Sequence, residues 1–170
     1  MHRQSIARMS KVKGQMSNVQ KGFTLIEISI VVSIMAALTT MGVASFVSYS
    51  RSQSLQTAAL DFSTTLNLAK SRSFSQVKPQ QCVSQALEGY RVQILAGNDG
   101  YELQAICAGN VYKVKEGTFP QNITVSPDGT TSTSFFFPII SGGVVGSGSV
   151  VLTGYGQSRT ITVDQIGTVK

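Results

Sequence analysis

Lys21-Gly22-Phe23-Thr24-Leu25-Ile26-Glu27 opens a stretch in which residues 28–50 carry no charged side chain, the next charge being Arg51. No proline falls between Phe23 and Val77, so nothing interrupts a helix there. A helix over the uncharged residues alone would be roughly 35 Å long at about 1.5 Å per residue, enough for a hydrocarbon layer about 30 Å thick. Residues 23–50 are therefore expected to span a membrane once. Cations before the segment and none directly after it place the N-terminus in the cytoplasm and the remainder outside.

Upstream, residues 1–22 are polar and lack hydrophobic periodicity, so they cannot contribute to a core and read as a leader. Arg3, Arg8, Lys11, Lys13 and Lys21 lie there without an acid, and they account for most of the net charge of +6. The other nine cations face eight acids, so the body of the chain is nearly neutral. The single histidine, His2, is also in the leader. A chain lacking it has no imidazole, which argues against His-based acid–base, nucleophilic or zinc chemistry, and no paired-carboxylate motif replaces it. The expectation is a protein that is not an enzyme, with no cofactor and no metal.

Downstream, Leu55, Ala58, Ala59, Phe62, Leu66, Ala69 and Ser73 recur at steps of three and four, an amphipathic helical stripe. Lys78-Pro79 is the expected stop, giving one helix about 80 Å long from Phe23 to Val77. Beyond Pro79 the pattern turns to strands, predicted at 90–96, 101–107, 111–114, 123–125, 134–140, 150–153 and 160–163. Gly97-Asn98-Asp99-Gly100 is a hairpin signal, and Gly142-Gly143-Val144-Val145-Gly146-Ser147-Gly148 reads as an inter-strand loop rather than a phosphate cradle. In Phe135-Phe136-Phe137, alternation buries either Phe136 or its two neighbours. The fold class is thus α+β: a long N-terminal helix, hydrophobic in its first half and amphipathic in its second, packed on a small antiparallel β head. The expected divisions are residues 1–22, 23–50, 51–78 and 79–170.

Cys82 and Cys107 are an even pair in a chain that looks exported, so a disulfide is the default. With the turn at 97–100 and Ala96 opposite Tyr101, Cys107 falls opposite Tyr90. Residues 83–89 then return to Cys82.

The string Lys21 to Glu27 ahead of an apolar helix resembles the processing site of type IV prepilins and type II secretion pseudopilins. That resemblance implies the pilin fold, cleavage after Gly22 by a membrane-embedded prepilin peptidase, and methylation of the new Phe23 amine. Independently, a secretory signal would place its cleavage site after a 7- to 15-residue apolar core, whereas here the small residue precedes a longer one. Glu27 then needs a partner in an apolar setting, and the Phe23 amine freed by cleavage, its own or a neighbour's, is the expected one. Residues 66–73 resemble the helix end of FimT-like minor pilins and H-type minor pseudopilins. Residues 159–169 resemble their last hairpin, with Gly167-Thr168-Val169 in place of the frequent Gly-Arg-Val ending. The implied partners are other pilin or pseudopilin subunits, prepilin peptidase, the inner-membrane assembly platform and the membrane. The implied location is the bacterial inner membrane and then a periplasmic or extracellular filament. Capture of DNA or another extracellular ligand at the filament tip is the alternative role, with DNA not favoured. DNA capture would need a basic cluster on the head, where Lys78, Arg91, Lys113, Lys115, Arg159 and Lys170 are scattered in sequence.

Overall fold

The structure is a computed structural model that describes residues 22–97, 99–127 and 133–170; the side chains of residues 40, 41, 42, 44 and 127 also fall outside the description. Apart from Gly22, the expected leader lies outside the described residues. The chain divides into two units, residues 1–42 and 43–170. One helix, α1 (Leu25–Phe74), runs through both.

Within residues 43–170 the helical stripe faces the core: Leu55, Ala58, Phe62, Leu66, Ala69 and Ser73 are buried, while Ala59 is half-buried at its margin. Seven strands follow among the described residues. β1 (Leu87–Ile94), β2 (Gly100–Cys107), β3 (Asn110–Thr118) and β5 (Ser134–Pro138) form an antiparallel sheet in the order β3-β2-β1-β5. β4 (Ile123–Pro127), β6 (Gly148–Gly154) and β7 (Gln157–Val163) form a second antiparallel sheet in the order β4-β6-β7. Both sheets give side chains to one hydrophobic core with the helix stripe, which makes the fold α+β as expected.

The helix stops earlier than the proline signal suggested. Gln76 adopts φ 53°, and the N–H groups of Gln76 and Val77 donate to the carbonyls of Ser73 (3.3 Å) and Arg72 (3.1 Å). This is a Schellman ending with glutamine in the left-handed position. Its exit is then fastened by the Tyr90 hydroxyl, which donates to the Val77 carbonyl. Ser73 ends the stripe for a specific reason: its hydroxyl lies 2.8 and 2.7 Å from the carbonyls of Phe137 and Pro138, tying the helix to β5.

The β1–β2 register differs by two residues from the sequence expectation. Ile94, not Ala96, faces Tyr101, because the Leu95 N–H donates to the Gly100 carbonyl (2.9 Å) and starts the turn directly after Leu95. A bulge between Leu87 and Gly89 then brings Leu87, rather than Tyr90, opposite Cys107. Both effects start β1 three residues before the predicted run and shorten the return to Cys82. Cys82, closing a short 3-10 helix (Gln80–Cys82), is disulfide-bonded to Cys107 with a Cα–Cα distance of 6.0 Å, and both residues are fully buried. In β5 the alternation resolves toward burial of Phe135 and Phe137. Phe136 lies on the other face, where the Arg91 guanidinium stands 5.9 Å from its ring centroid.

At the centre, Phe62, Tyr101 and Phe119 form a three-ring contact with centroid separations of 5.0, 6.0 and 5.2 Å. Gly117 is required beside it, since a Cβ there would lie 2.3 Å from the Tyr101 ring. The Tyr101 hydroxyl donates to the Asp61 carboxylate, and Lys115 Nζ reaches Asp61 Oδ1 (3.5 Å) and Thr65 Oγ1 (3.3 Å). Burial, followed by the hydrogen bond to Asp61, raises the Tyr101 phenol above its usual 10.0; a contact with Thr65 acts weakly the other way.

Two predictions follow from this packing. A phenol held neutral by the fold contributes stability below its unfolded value and loses it as pH rises toward the folded value. Tyr101→Phe should therefore lower the denaturation midpoint at neutral pH, by about 1 to 2 kcal/mol for the lost hydrogen bond, yet decline less steeply than the parent from about pH 10 upward. Equal slopes would remove Tyr101 from the alkaline transition. Separately, reduction of the Cys82–Cys107 bond, which closes a separation of 25 residues, should cost about 3 to 4 kcal/mol on the chain-entropy account. Denaturant melts of the full chain in mild detergent, with and without reductant, measure this; coincident curves would rule the bridge out as a stabilising element.

Candidate functional site

Gly22, Phe23 and Glu27 meet at the beginning of α1. Gly22 is exposed, and a Cβ built on it would have no neighbour within 4 Å. Phe23 and Leu25 are 78% and 85% exposed. The helix starts on Thr24, whose Oγ1 accepts the Glu27 N–H (3.3 Å) and whose carbonyl accepts the Ile28 N–H (3.2 Å). Thr24-Leu25-Ile26-Glu27 is thus a capping-box sequence, with threonine at the N-cap and glutamate three residues on. The sequence reading overlooked this local role, though the Thr-x-x-Glu spacing signals it. The Glu27 carboxylate lies in the first turn, where the helix dipole favours negative charge, and it has no ion-pair partner among the described residues. The cap uses the Glu27 backbone N–H and leaves its carboxylate oxygens available to a cation.

Beyond Glu27 the helix exposes Ile28, Ile30, Val31, Val32, Ile34, Met35 and Leu38, each at least 44% accessible. These positions surround the helix rather than form one stripe, so no single face is covered. The hydroxyls among them are satisfied inside the helix: Ser29 donates to the Leu25 carbonyl (3.0 Å), Ser33 to Ser29 (2.8 Å) and Thr39 to Met35 (2.6 Å). Such back-bonding lets a hydroxyl enter an apolar environment at small cost. Among the described residues no helix is long and apolar enough to cross a membrane. The expected span, 23–50, includes the side chains of residues 40, 41, 42 and 44, which lie outside the described residues.

Of the six head cations weighed for nucleic-acid capture, four have partners of their own. Lys78 donates to the Gln85 carbonyl (2.9 Å), Arg91 stacks on Phe136, Lys113 pairs with Glu116 (2.8 Å) and Glu102 (3.6 Å), and Lys115 pairs with Asp61. The Lys113 ammonium is held above its ordinary value, chiefly by Glu116. Arg159 and Lys170 alone of the six share a groove, about 300 Å³, with Gln56, Ala59, Leu60 and Ser63. Among the described residues no three His, Cys, Asp or Glu side chains are grouped to hold a metal ion. Asp164 instead takes a turn role, accepting the Thr168 N–H at 2.7 Å in the final hairpin. That hairpin closes through Gly167 at φ 69° and a bridge between Val163 and Val169.

Residues 17–43 match the family model described as the prokaryotic N-terminal methylation motif. No curated protein and no solved structure matches the chain. The matched residues include Gly22, Phe23 and Glu27 together with the first turns of α1. This motif supports a type IV pilin-like precursor, and with it a structural subunit rather than an enzyme. The α+β architecture, an N-terminal helix packed against antiparallel sheets, is consistent with the pilin fold.

Proposed function

We propose that this chain is a minor pilin or pseudopilin, processed by prepilin peptidase and assembled into a type IV pilus or type II secretion pseudopilus. The observation that carries the reading is the methylation motif at residues 17–43, whose cleavage point at Gly22 and Phe23 is exposed ahead of a helix apolar on all sides. In this reading residues 1–22 are the removed leader and residues 23–50 the anchor, with a cytoplasmic N-terminus before assembly. The amphipathic half of α1, from residue 51 to its end at Phe74, and the β head of residues 79–170 are what the filament displays. The membrane, the assembly platform and other subunits are the partners. The resemblance of residues 66–73 and 159–169 to the FimT and H-type branch supports a minor rather than a major subunit.

In the assembled filament Glu27 has a specific part. A carboxylate among apolar helices costs several kcal/mol unless paired, and cleavage creates the one cation that can reach it, the Phe23 amine. Pairing across subunits would then fix their axial register. Two substitutions separate this from the capping role. Glutamine serves as well as glutamate at the third position of a capping box but carries no charge. Glu27→Gln and Glu27→Ala should therefore both leave membrane association intact and both reduce incorporation into filaments, by roughly a hundredfold or more if a buried pair worth about 3 kcal/mol is lost. Immunoblots of sheared filaments against membrane fractions provide the measurement. Wild-type incorporation of Glu27→Gln would show that the charge of Glu27 is not needed for assembly.

A further inference from the structure

One end of the 43–170 unit changes character within a few residues. Residues 43–50 carry no charge, and Val43, Phe46 and Tyr49 are 57%, 70% and 63% exposed. The next residue, Arg51, holds its guanidinium 5.6 Å from the ring centroid of Tyr155, in the β6–β7 turn. The Tyr155 hydroxyl donates to the Gln121 carbonyl (3.3 Å), and the Tyr49 hydroxyl accepts from Gln53 Nε2 (2.9 Å). Apolar rings, polar ring tips and a cation therefore fall at nearly one level of the helix, with Tyr49 on a different face from Arg51.

Tyr155 is an uneconomical choice for its position. It sits at φ 55°, followed by Gly156 at φ 76°, in a two-residue hairpin turn where asparagine or glycine takes the left-handed conformation with little strain. A bulky side chain there is an outlier that the turn itself does not need. Its ring remains 39% exposed, so it does not fill the core either. What the tyrosine adds is an amphipathic ring beside Arg51. The stacked guanidinium still presents its N–H edges, and it has no ion pair among the described residues.

We infer that Arg51, Tyr155 and Tyr49 form a seat for the phosphate layer of a lipid bilayer, which holds the head on the membrane surface before the subunit is assembled. The inference rests on the membrane-anchored reading above. Lipid is favoured as occupant by continuity: the seat directly follows the uncharged residues 43–50, of which Val43, Phe46 and Tyr49 are exposed, and tyrosine and arginine are the side chains suited to the interface between acyl chains and phosphates. A guanidinium offers a phosphate two parallel hydrogen bonds while its face stays on the ring.

The chain contains no tryptophan, so a single introduced indole reports its own depth. Purified full chain carrying Tyr155→Trp is reconstituted into vesicles of phosphatidylethanolamine and phosphatidylglycerol bearing a spin label either on the headgroup or near the acyl-chain terminus. Emission should be quenched more by the headgroup label than by the deep one, and less so when Arg51→Gln is added. Val83→Trp, beside the disulfide and far along the fold from Arg51, should be quenched by neither; Gln157→Trp repeats the test should Tyr155→Trp misfold. Quenching of the Tyr155→Trp chain no greater than that of Val83→Trp, while flotation shows the chain in the vesicles, overturns the seat alone, including the case where a second copy covers it. Quenching unaffected by Arg51→Gln removes the guanidinium from it. Failure of the chain to float with vesicles overturns the membrane-anchored reading and the seat together.

Discussion

The stripe of Leu55, Ala58, Phe62, Leu66 and Ala69 buried by two sheets is the interaction on which the 43–170 unit depends. A helix can satisfy its own backbone, but an isolated amphipathic one is marginal in water until its apolar face is covered. The two sheets have the complementary problem, since each needs something to cover its inner face. Packing the helix stripe into one core with both of them answers both. The polar attachments fall at the margins of that contact: Asp61 and Thr65 to Tyr101 and Lys115, Ser73 to β5, and Lys70 to the Ile166 carbonyl in the final hairpin. Each secures the rotation of the helix about its axis. The disulfide and the Tyr90 contact with Val77 hold the chain where it leaves the helix.

Residues 25–39 of the same helix follow the opposite rule. Their apolar side chains are exposed on all sides, and their hydroxyls turn inward to the helix backbone. Water is a poor solvent for such a surface, whereas lipid or the helices of neighbouring subunits would suit it. The type IV pilin-like motif lies where these side chains begin. Cleavage ahead of an apolar segment, rather than behind it, would keep that segment as an anchor and supply a cation at its tip. In the proposed reading the chemistry of Glu27 and the surroundings of residues 25–39 become one problem, since an acid placed in an apolar setting would need a partner that only cleavage supplies.

Much of this was legible in the residues, for physical reasons that also mark where legibility ended. The 3.6-residue period survives because the stripe is buried on one face only, and all seven strands coincide with β-rich runs between turn signals. Register was less accessible. The Gly97-to-Gly100 signal located the β1–β2 turn, but the closing hydrogen bond of Leu95 and the bulge at Leu87 and Gly89 are set by packing against neighbours. The helix stop was placed at Pro79, where chain geometry forbids continuation, although the left-handed Gln76 had already ended it. Which of three consecutive phenylalanines would be buried depended on the face of β5 that meets the core. Period alone carries no sign. At the N-terminus the residues of the motif were readable individually, yet Thr24 also caps the helix by accepting the Glu27 N–H, a second use of the same spacing.

The central claim is that the chain is a prepilin-type precursor whose leader is removed to expose an N-terminal amine. Intact-mass and terminal-peptide measurement on envelope protein from producing cells tests it most directly. The account predicts a chain lacking residues 1–22 and beginning at Phe23 with a methylated amine. A mature chain that retains those residues, or one that begins downstream of Ser45, would contradict it.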